Sequence, residues 1–247
     1  MEIDTIQKGD CLEKMKELPD NCVDLVIMDP PYQIVGGGKG GAFGDEARNY
    51  HGPIRELSDG ITDDVLREVV RVMKKINIYI WCNKNQFRQY INFFEDLGCV
   101  TDILTWHKTN PIPTGNNKYL SDTEYILFFR EKGVGLFGNY HTKKKYYVTQ
   151  TNKEDKDKYG HPTIKPLFIL ENLIINSSHE GDLILDPFMG SGSTAVASLN
   201  QNRHFIGYEI DDTYFNIATQ RVAEAKDEIR SKNFFKSITN KIENSKQ

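Results

Sequence analysis

Four short apolar segments of this chain each stop at a carboxylate. Glu2–Lys8 runs into Gly9-Asp10, Val23–Met28 into Asp29, Asp182–Leu185 into Asp186, and His204–Tyr208 into Glu209. Short apolar runs bounded by glycine, proline or asparagine read as strands. Helical periodicity fills the gaps. Cys11–Leu18 puts Leu12, Met15 and Leu18 on one face, and Thr62–Lys74 does the same with Val65, Leu66, Val69, Val70 and Met73. Gln86–Leu97 is stopped by Gly98, Leu167–Asn176 follows a proline, a glycine-rich turn opens a helix to Asn200, and Asp211 caps a helix to about Ser231. Further strands read at Ile76–Trp81, Val100–Trp106 and Glu124–Arg130, while the polar segment up to Tyr159 shows none and Lys232–Gln247 reads as a frayed tail. Strand–helix alternation of this kind gives an α/β fold, a mostly parallel twisted sheet flanked by helices. In such sheets ligands bind beyond the carboxyl ends of the strands, which places Asp10, Asp29, Asp186 and Glu209 on one functional edge.

Asp29-Pro30-Pro31-Tyr32 follows the most apolar of these strands. Two prolines fix φ and remove two backbone donors, leaving carbonyls free to accept. A carboxylate, a carbonyl and an aromatic ring in one rigid turn suit a flat aromatic amine: Tyr32 stacks on its face while Asp29 and the Pro30 carbonyl accept its two N–H bonds. Asp186-Pro187-Phe188-Met189-Gly190-Ser191-Gly192-Ser193-Thr194 is the second rich stretch. Its glycines permit close backbone approach, Asp186 suits an amino group, and Phe188 adds an apolar wall. Glu209 stands at the next strand end, at the spacing that puts a carboxylate on ribose hydroxyls. Asp10 reads either as a simple helix cap or as part of the same edge. In His161-Pro162-Thr163-Ile164-Lys165-Pro166, a structural histidine is preferred to a general base, and Thr163 is the better ligand contact. Gly36–Gly44 matches G-x-G-x-x-G but opens no helix, so a lid is preferred to a linker or a phosphate cradle.

A net charge of −4 gives no global sign of nucleic-acid binding. The segment from Lys108 to Lys165, however, holds 11 Lys and Arg against 6 Asp and Glu, with Lys143-Lys144-Lys145 beside Tyr146-Tyr147. Basic side chains interleaved with aromatics fit phosphate neutralisation and stacking, with a solvated surface loop as the alternative, so Lys108, Lys118, Lys143, Lys144 and Lys145 are the candidate nucleic-acid contacts. The four cysteines are widely spaced, which argues against zinc or disulfides. No apolar run reaches the ~20 residues of a membrane span, and the start lacks a signal-peptide pattern, so a cytoplasmic setting without membrane partners is expected.

D-P-P-Y at Asp29, H-P-T-x-K-P at His161, D-P-F-x-G-S-G at Asp186 and W-x-K-x-N-P from Trp106 together resemble the signatures of amino-directed DNA methyltransferases that use S-adenosylmethionine. With the Asp29 motif preceding the Asp186 motif, the order is similar to that of their beta group. The resemblance covers about Asp10 to Arg221 and implies a Rossmann-like S-adenosylmethionine-dependent methyltransferase fold. It implies a catalytic part at 1–106 with a mobile loop at 33–60, a target-recognition region at 107–160, a cofactor part at 161–234 and a tail at 235–247. It implies catalytic roles for Asp29, Pro30 and Tyr32. Cofactor contacts would come from Asp10, Cys11, Asp29, Thr163, Lys165, Asp186, Pro187, Phe188, Gly190, Ser191, Gly192, Ser193, Thr194 and Glu209, with no metal. The implied reaction is adenine-N6 methylation of DNA in a restriction-modification setting, bacterial or phage-encoded. Cytosine-N4 methylation is the alternative, followed by RNA or protein amide methylation and a non-catalytic DNA-binding module. A homodimer and a cognate restriction endonuclease are the further partners it admits. Cytosine-C5 chemistry is set aside, because none of the four cysteines follows a proline or sits beside a base.

Overall fold

The computed structural model describes residues 1–33, 60–111, 113, 119–151, 158–159 and 164–244, with side chains described through 239. The Gly36–Gly44 stretch, Lys118, His161 and Thr163 lie outside the described residues. The elements, in chain order, are β1 (Thr5–Lys8), α1 (Cys11–Lys16), β2 (Leu25–Met28), α2 (Asp63–Val72), β3 (Asn77–Cys82), α3 (Phe87–Asp96) and β4 (Val100–Lys108). They continue with β5 (Thr123–Arg130), β6 (Tyr146–Thr149), α4 (Leu167–Ser177), β7 (Leu183–Asp186), α5 (Ser193–Asn200), β8 (His204–Glu209) and α6 (Asp212–Asn244).

Eight described strands form one sheet in the order β1-β8-β7-β2-β3-β5-β4-β6, with only β5 running against the rest. Every residue of β2, β3 and β7 is buried, because helices cover both faces. Alternation along the strands divides the core in two. Val26, Met28, Ile78 and Ile80 face α1, α2 and α3 through Met15, Leu66, Val69, Tyr90 and Phe94. Leu25, Ile27, Tyr79 and Trp81 face α4 through Ile169, Leu170 and Leu173. A satellite cluster of Met189, Phe205, Ala218 and Val222 seats α6.

β2 leads through α2 to β3 on one side, while its other neighbour β7 leads through α5 to β8 on the opposite side. Asp29 and Asp186 therefore end adjacent parallel strands at a topological switch point, where α/β sheets open a crevice.

Three readings differ from the structure. β6 forms within the polar segment where no strand is expected. Only Tyr147 of its four residues is buried, so it carries the pattern of a short edge strand rather than a core strand. The last helix does not fray at Ser231 but continues to Asn244. Residues 231–239 are exposed, so this extension rests on local terms, among them the Lys232–Glu228 pair at i,i+4 and the Ser237 and Thr239 hydroxyls donating to Phe234 and Phe235 carbonyls. A boundary at 106/107 would cut β4, and residues 107–160 contribute β5 and β6 to the common sheet.

Candidate active site at the carboxyl edge of the sheet

On the β7–β8 side, Asp186 is buried at the end of β7, where its Oδ1 accepts the Phe188 amide at 3.0 Å. Among the described residues no cation pairs with it. Burial pushes its carboxyl up to about 7, against the opposing pull of the Thr194 hydroxyl and the Phe188 amide. The turn beyond it is bound from two sides. Glu209 Oε2 accepts the Gly190 amide at 2.7 Å and Oε1 accepts the Asp211 amide at 2.8 Å. Arg221, buried on α6, donates from Nη1 to Ser191 O at 2.7 Å, to Ser191 Oγ at 3.0 Å and to Ser193 Oγ at 3.1 Å. Gly192 has φ +82°, and a Cβ there would meet Ala218 Cα and Cβ at 3.1 Å. The sequence reading assigned these glycines to ligand approach; at Gly192 the tight neighbour is α6 itself. Asp10 caps α1 by accepting the Glu13 amide at 3.1 Å. Burial and then the Asp10 charge push the adjacent Cys11 thiol up to about 12, which keeps it protonated and non-nucleophilic.

On the β2 side, the turn is strapped to the start of α3. Gln86 Nε2 donates to Pro31 O at 3.0 Å, and Asn83 and Asn85 donate to Gln33 O at 2.8 and 3.2 Å. No described residue donates to the Pro30 carbonyl. Asp29 Oδ2 lies 2.8 Å from Lys165 Nζ, whereas Asp29 Oδ1 and the Tyr32 hydroxyl have no hydrogen bond of acceptable geometry, although the hydroxyl is near enough to Asp29 to influence it. Lys165 is buried, with Tyr32 and Trp81 ring centroids 5.8 and 5.7 Å from its ammonium. It also contacts Glu124 Oε2 at 3.0 Å, and Glu124 Oε1 meets Lys108 Nζ at 2.5 Å. Burial raises the Asp29 carboxyl despite Lys165. Burial alone would raise Glu124 too, but the two lysines overcome it and hold Glu124 at about 2.

Residues 23–220 match the family described as DNA methylase, which covers amino-directed N6 and N4 enzymes. The chain belongs to that family. Among curated relatives it is 30% identical to the Type II methyltransferase M.HinfI of Haemophilus influenzae, over 91% of this chain and 69% of that protein. It is 29% identical to the Type II methyltransferase M2.DpnII of Streptococcus pneumoniae, over 89% of each. Among solved structures, the M1.HpyAVI–SAM complex superposes with a TM-score of 0.63 at 26% identity, covering 88% of this chain and 98% of that one. The cytosine-N4-specific PvuII DNA methyltransferase superposes with a TM-score of 0.67 at 14% identity, covering 91% and 92%, a likeness of fold.

In this DNA methylase the described lysines of the basic segment divide: Lys108 and Lys165 reach the Asp29 edge as inward-facing ion pairs, whereas Lys143, Lys144 and Lys145 do not reach it. Lys108, expected on a DNA-facing surface, is turned inward onto Glu124 with the Trp106 ring centroid 5.2 Å from its ammonium. Lys143, Lys144 and Lys145 are exposed but precede β6, so they lie toward the amino edge of the sheet, four strands from β2, and Lys145 is paired with Asp102. At ~4.8 Å between strands that is roughly 19 Å across the sheet. Lys165, expected near the cofactor's amino-acid end, contacts Asp29. Glu124, Trp81 and Arg221 escaped the sequence reading. Glu124 and Trp81 fall within strands that looked purely structural, and Arg221 within an amphipathic helix, so only their partners across the fold mark them.

Among the described residues, no helix is long and apolar enough to cross a membrane and no group of His, Cys, Asp or Glu is placed to hold a metal.

Proposed function

We propose that this chain is a site-specific DNA methyltransferase that moves a methyl group from S-adenosylmethionine to the exocyclic N6 of adenine. The observation that carries it is the pairing of two acceptors without a donor among the described residues, the buried Asp29 Oδ1 and the Pro30 carbonyl, in one rigid turn beside the Tyr32 ring.

The residues of the neighbouring crevice fit the cofactor. A buried carboxylate without a cation, as at Asp186, favours a ligand that brings its own positive charge. Glu209 uses one acceptor site per oxygen on backbone amides, which leaves lone pairs for a pair of hydroxyls. Phe188, Cys11 and the Asp10 cap line the same edge, and Gly190–Thr194 would wrap the amino-acid part. When bound, S-adenosylmethionine supplies a methyl group on a positively charged sulfur, open to in-line attack by an amine lone pair, with the C–S bonding pair returning to sulfur.

The target base must leave the stack, at a cost of a few kcal/mol. Stacking on Tyr32 offsets ~1–3 kcal/mol of that cost. Asp29 Oδ1 and Pro30 O each accept one N–H of the amine. This draws electron density back onto the nitrogen and turns its lone pair out of the ring plane. After the N–C bond forms, the nitrogen carries one proton too many, and the Asp29 carboxylate, whose basicity burial has raised, takes it. Positioning and electrostatics supply the acceleration, with no covalent enzyme intermediate. Asp29, where cytosine-N4 enzymes more often resemble S-P-P-Y, supports adenine as the base. Residues 107–160 would supply target recognition, with a second copy of the chain completing a short site, and a cognate endonuclease would share that site.

The direct test is transfer from labelled S-adenosylmethionine to unmethylated, PCR-amplified genomic DNA, followed by digestion to nucleosides. N6-methyldeoxyadenosine is the expected product. N4-methyldeoxycytidine as the sole product would overturn the adenine assignment, and label only in RNA or protein would overturn the DNA substrate.

A further inference from the structure

Glu124 has no role in the chemistry above, yet it is one of the more tightly held side chains of the site. It enters from β5, the strand that runs against the others, so its position near the carboxyl edge of β2 exists only because the sheet reverses there. Its two oxygens are divided between two ammonium groups, Lys108 at 2.5 Å and Lys165 at 3.0 Å, and Lys165 reaches on to Asp29 Oδ2 at 2.8 Å. The result is a line of alternating charge, Lys108–Glu124–Lys165–Asp29, with side-chain exposures of 18, 17, 9 and 28% from one end to the other. Trp106 lies beside the first lysine, and Tyr32 and Trp81 beside the second.

A lysine ammonium is a point charge with three donors on a flexible stem, and a lone carboxylate partner would draw it onto both oxygens. Glu124 opposes that pull from the far side. Lys165 is thereby held on one oxygen of Asp29 while the other, buried, makes no hydrogen bond among the described residues. Lys165 and Lys108 together hold Glu124 ionised against its burial.

We propose that Glu124 is a positioning residue for methyl transfer: through Lys165 it fixes the Asp29 carboxylate with Oδ2 engaged and Oδ1 presented to the amine of the target base. This rests on the reading that Asp29 receives that amine. The groups that act on Asp29 are Lys165 ahead of α4, Glu124 on β5, Tyr32 in its own turn, Cys82 on β3, Tyr90 on α3 and Asp186 on β7. Lys165 is the cation among them, and Glu124 is the carboxylate whose charge raises Asp29 most directly.

Single-turnover transfer to unmethylated, PCR-amplified genomic DNA, measured from pH 5 to 9 alongside cofactor affinity, tests the proposal. In E124Q the acid limb of the rate should move down by about one pH unit, because a negative neighbour is lost. Its plateau rate should fall about 10- to 100-fold, because Lys165 closes over Oδ1. Cofactor affinity should stay within about threefold of wild type. K165M should move the same limb upward, and E124D should return it toward the wild-type position. Limbs that stay in place in both E124Q and K165M, or a wild-type plateau in E124Q, would overturn the proposal. If E124Q does not fold, K108M takes its place: removing that positive charge should move the limb upward with affinity kept, and an unmoved limb there is equally fatal. An inactive wild type or an active D29A would instead refute the reading of Asp29 itself, which separates the two failures.

Discussion

Asp29 and Asp186 end neighbouring parallel strands, but one carboxylate lies against a lysine and the other has no cation within the described protein. Burial raises both. At Asp29 the answering charge is built in, and it faces one oxygen only, so the group is oriented rather than neutralised. At Asp186 the answering charge is missing, and the carboxyl rests at about 7. A residue that carries its own counter-ion is prepared for geometry; one that lacks it is prepared for a charged ligand.

The largest expected break in this comparison is D29A. It should lower single-turnover transfer by at least about 10²-fold, the scale seen when one preorganised polar contact is lost. Cofactor affinity, measured by calorimetry, should change little. An equal loss of affinity would merge the two sites that the comparison separates.

D186N should do the reverse, weakening cofactor binding by about 2–3 kcal/mol in the same calorimetric measurement. The sign of its pH dependence follows from the raised pKa. Below about 7 the folded site holds a proton that a cationic ligand must displace, so affinity should fall roughly tenfold per pH unit and binding should release a proton. In the free protein, the stability contributed by protonated Asp186 is complete below the usual carboxylate range. It is lost as pH rises through about 7, so D186N should unfold at a higher temperature than wild type at pH 8. A pH-independent affinity in the wild type would show that Asp186 meets no cation.

R221K probes how firmly the crevice is built. One guanidinium bonds Ser191 O, Ser191 Oγ and Ser193 Oγ, a fork that lysine cannot reproduce. Cofactor affinity should drop by about tenfold with the Asp29-dependent rate at saturation preserved. The smallest effect is expected from replacing Lys143, Lys144 and Lys145 with alanine. They stand at the amino edge of β6, away from both carboxylates, so DNA affinity and the steepness of its salt dependence should fall only slightly. A large loss in a salt titration of binding would extend the DNA path around the sheet edge.

The α/β rhythm and the acids at strand ends were legible in the sequence because period and punctuation are local properties. Val23–Met28 announces a buried strand, and two prolines after Asp29 announce where it must stop. β6 was not legible, since one buried tyrosine in a polar run carries no period. Nor was the extension of α6 beyond Arg230, whose described side chains, 231–239, are exposed and give a hydrophobic pattern nothing to register.

The chain by itself determined which carboxylates stand on the functional edge and which rigid turn holds the acceptors, because strand ends, prolines and glycines act within a few residues. Tertiary structure decided what faces those carboxylates. Lys108 looked like a surface cation and became an interior one. Glu124 looked like a strand residue and became the hinge of a charge line. Lys165 looked like one residue of a turn and became the link between Asp29 and Glu124. Each outcome depends on β5 running antiparallel between β3 and β4, a long-range pairing that brings position 124 beside positions 108 and 165. No local signal encodes which charge will find which partner across that distance.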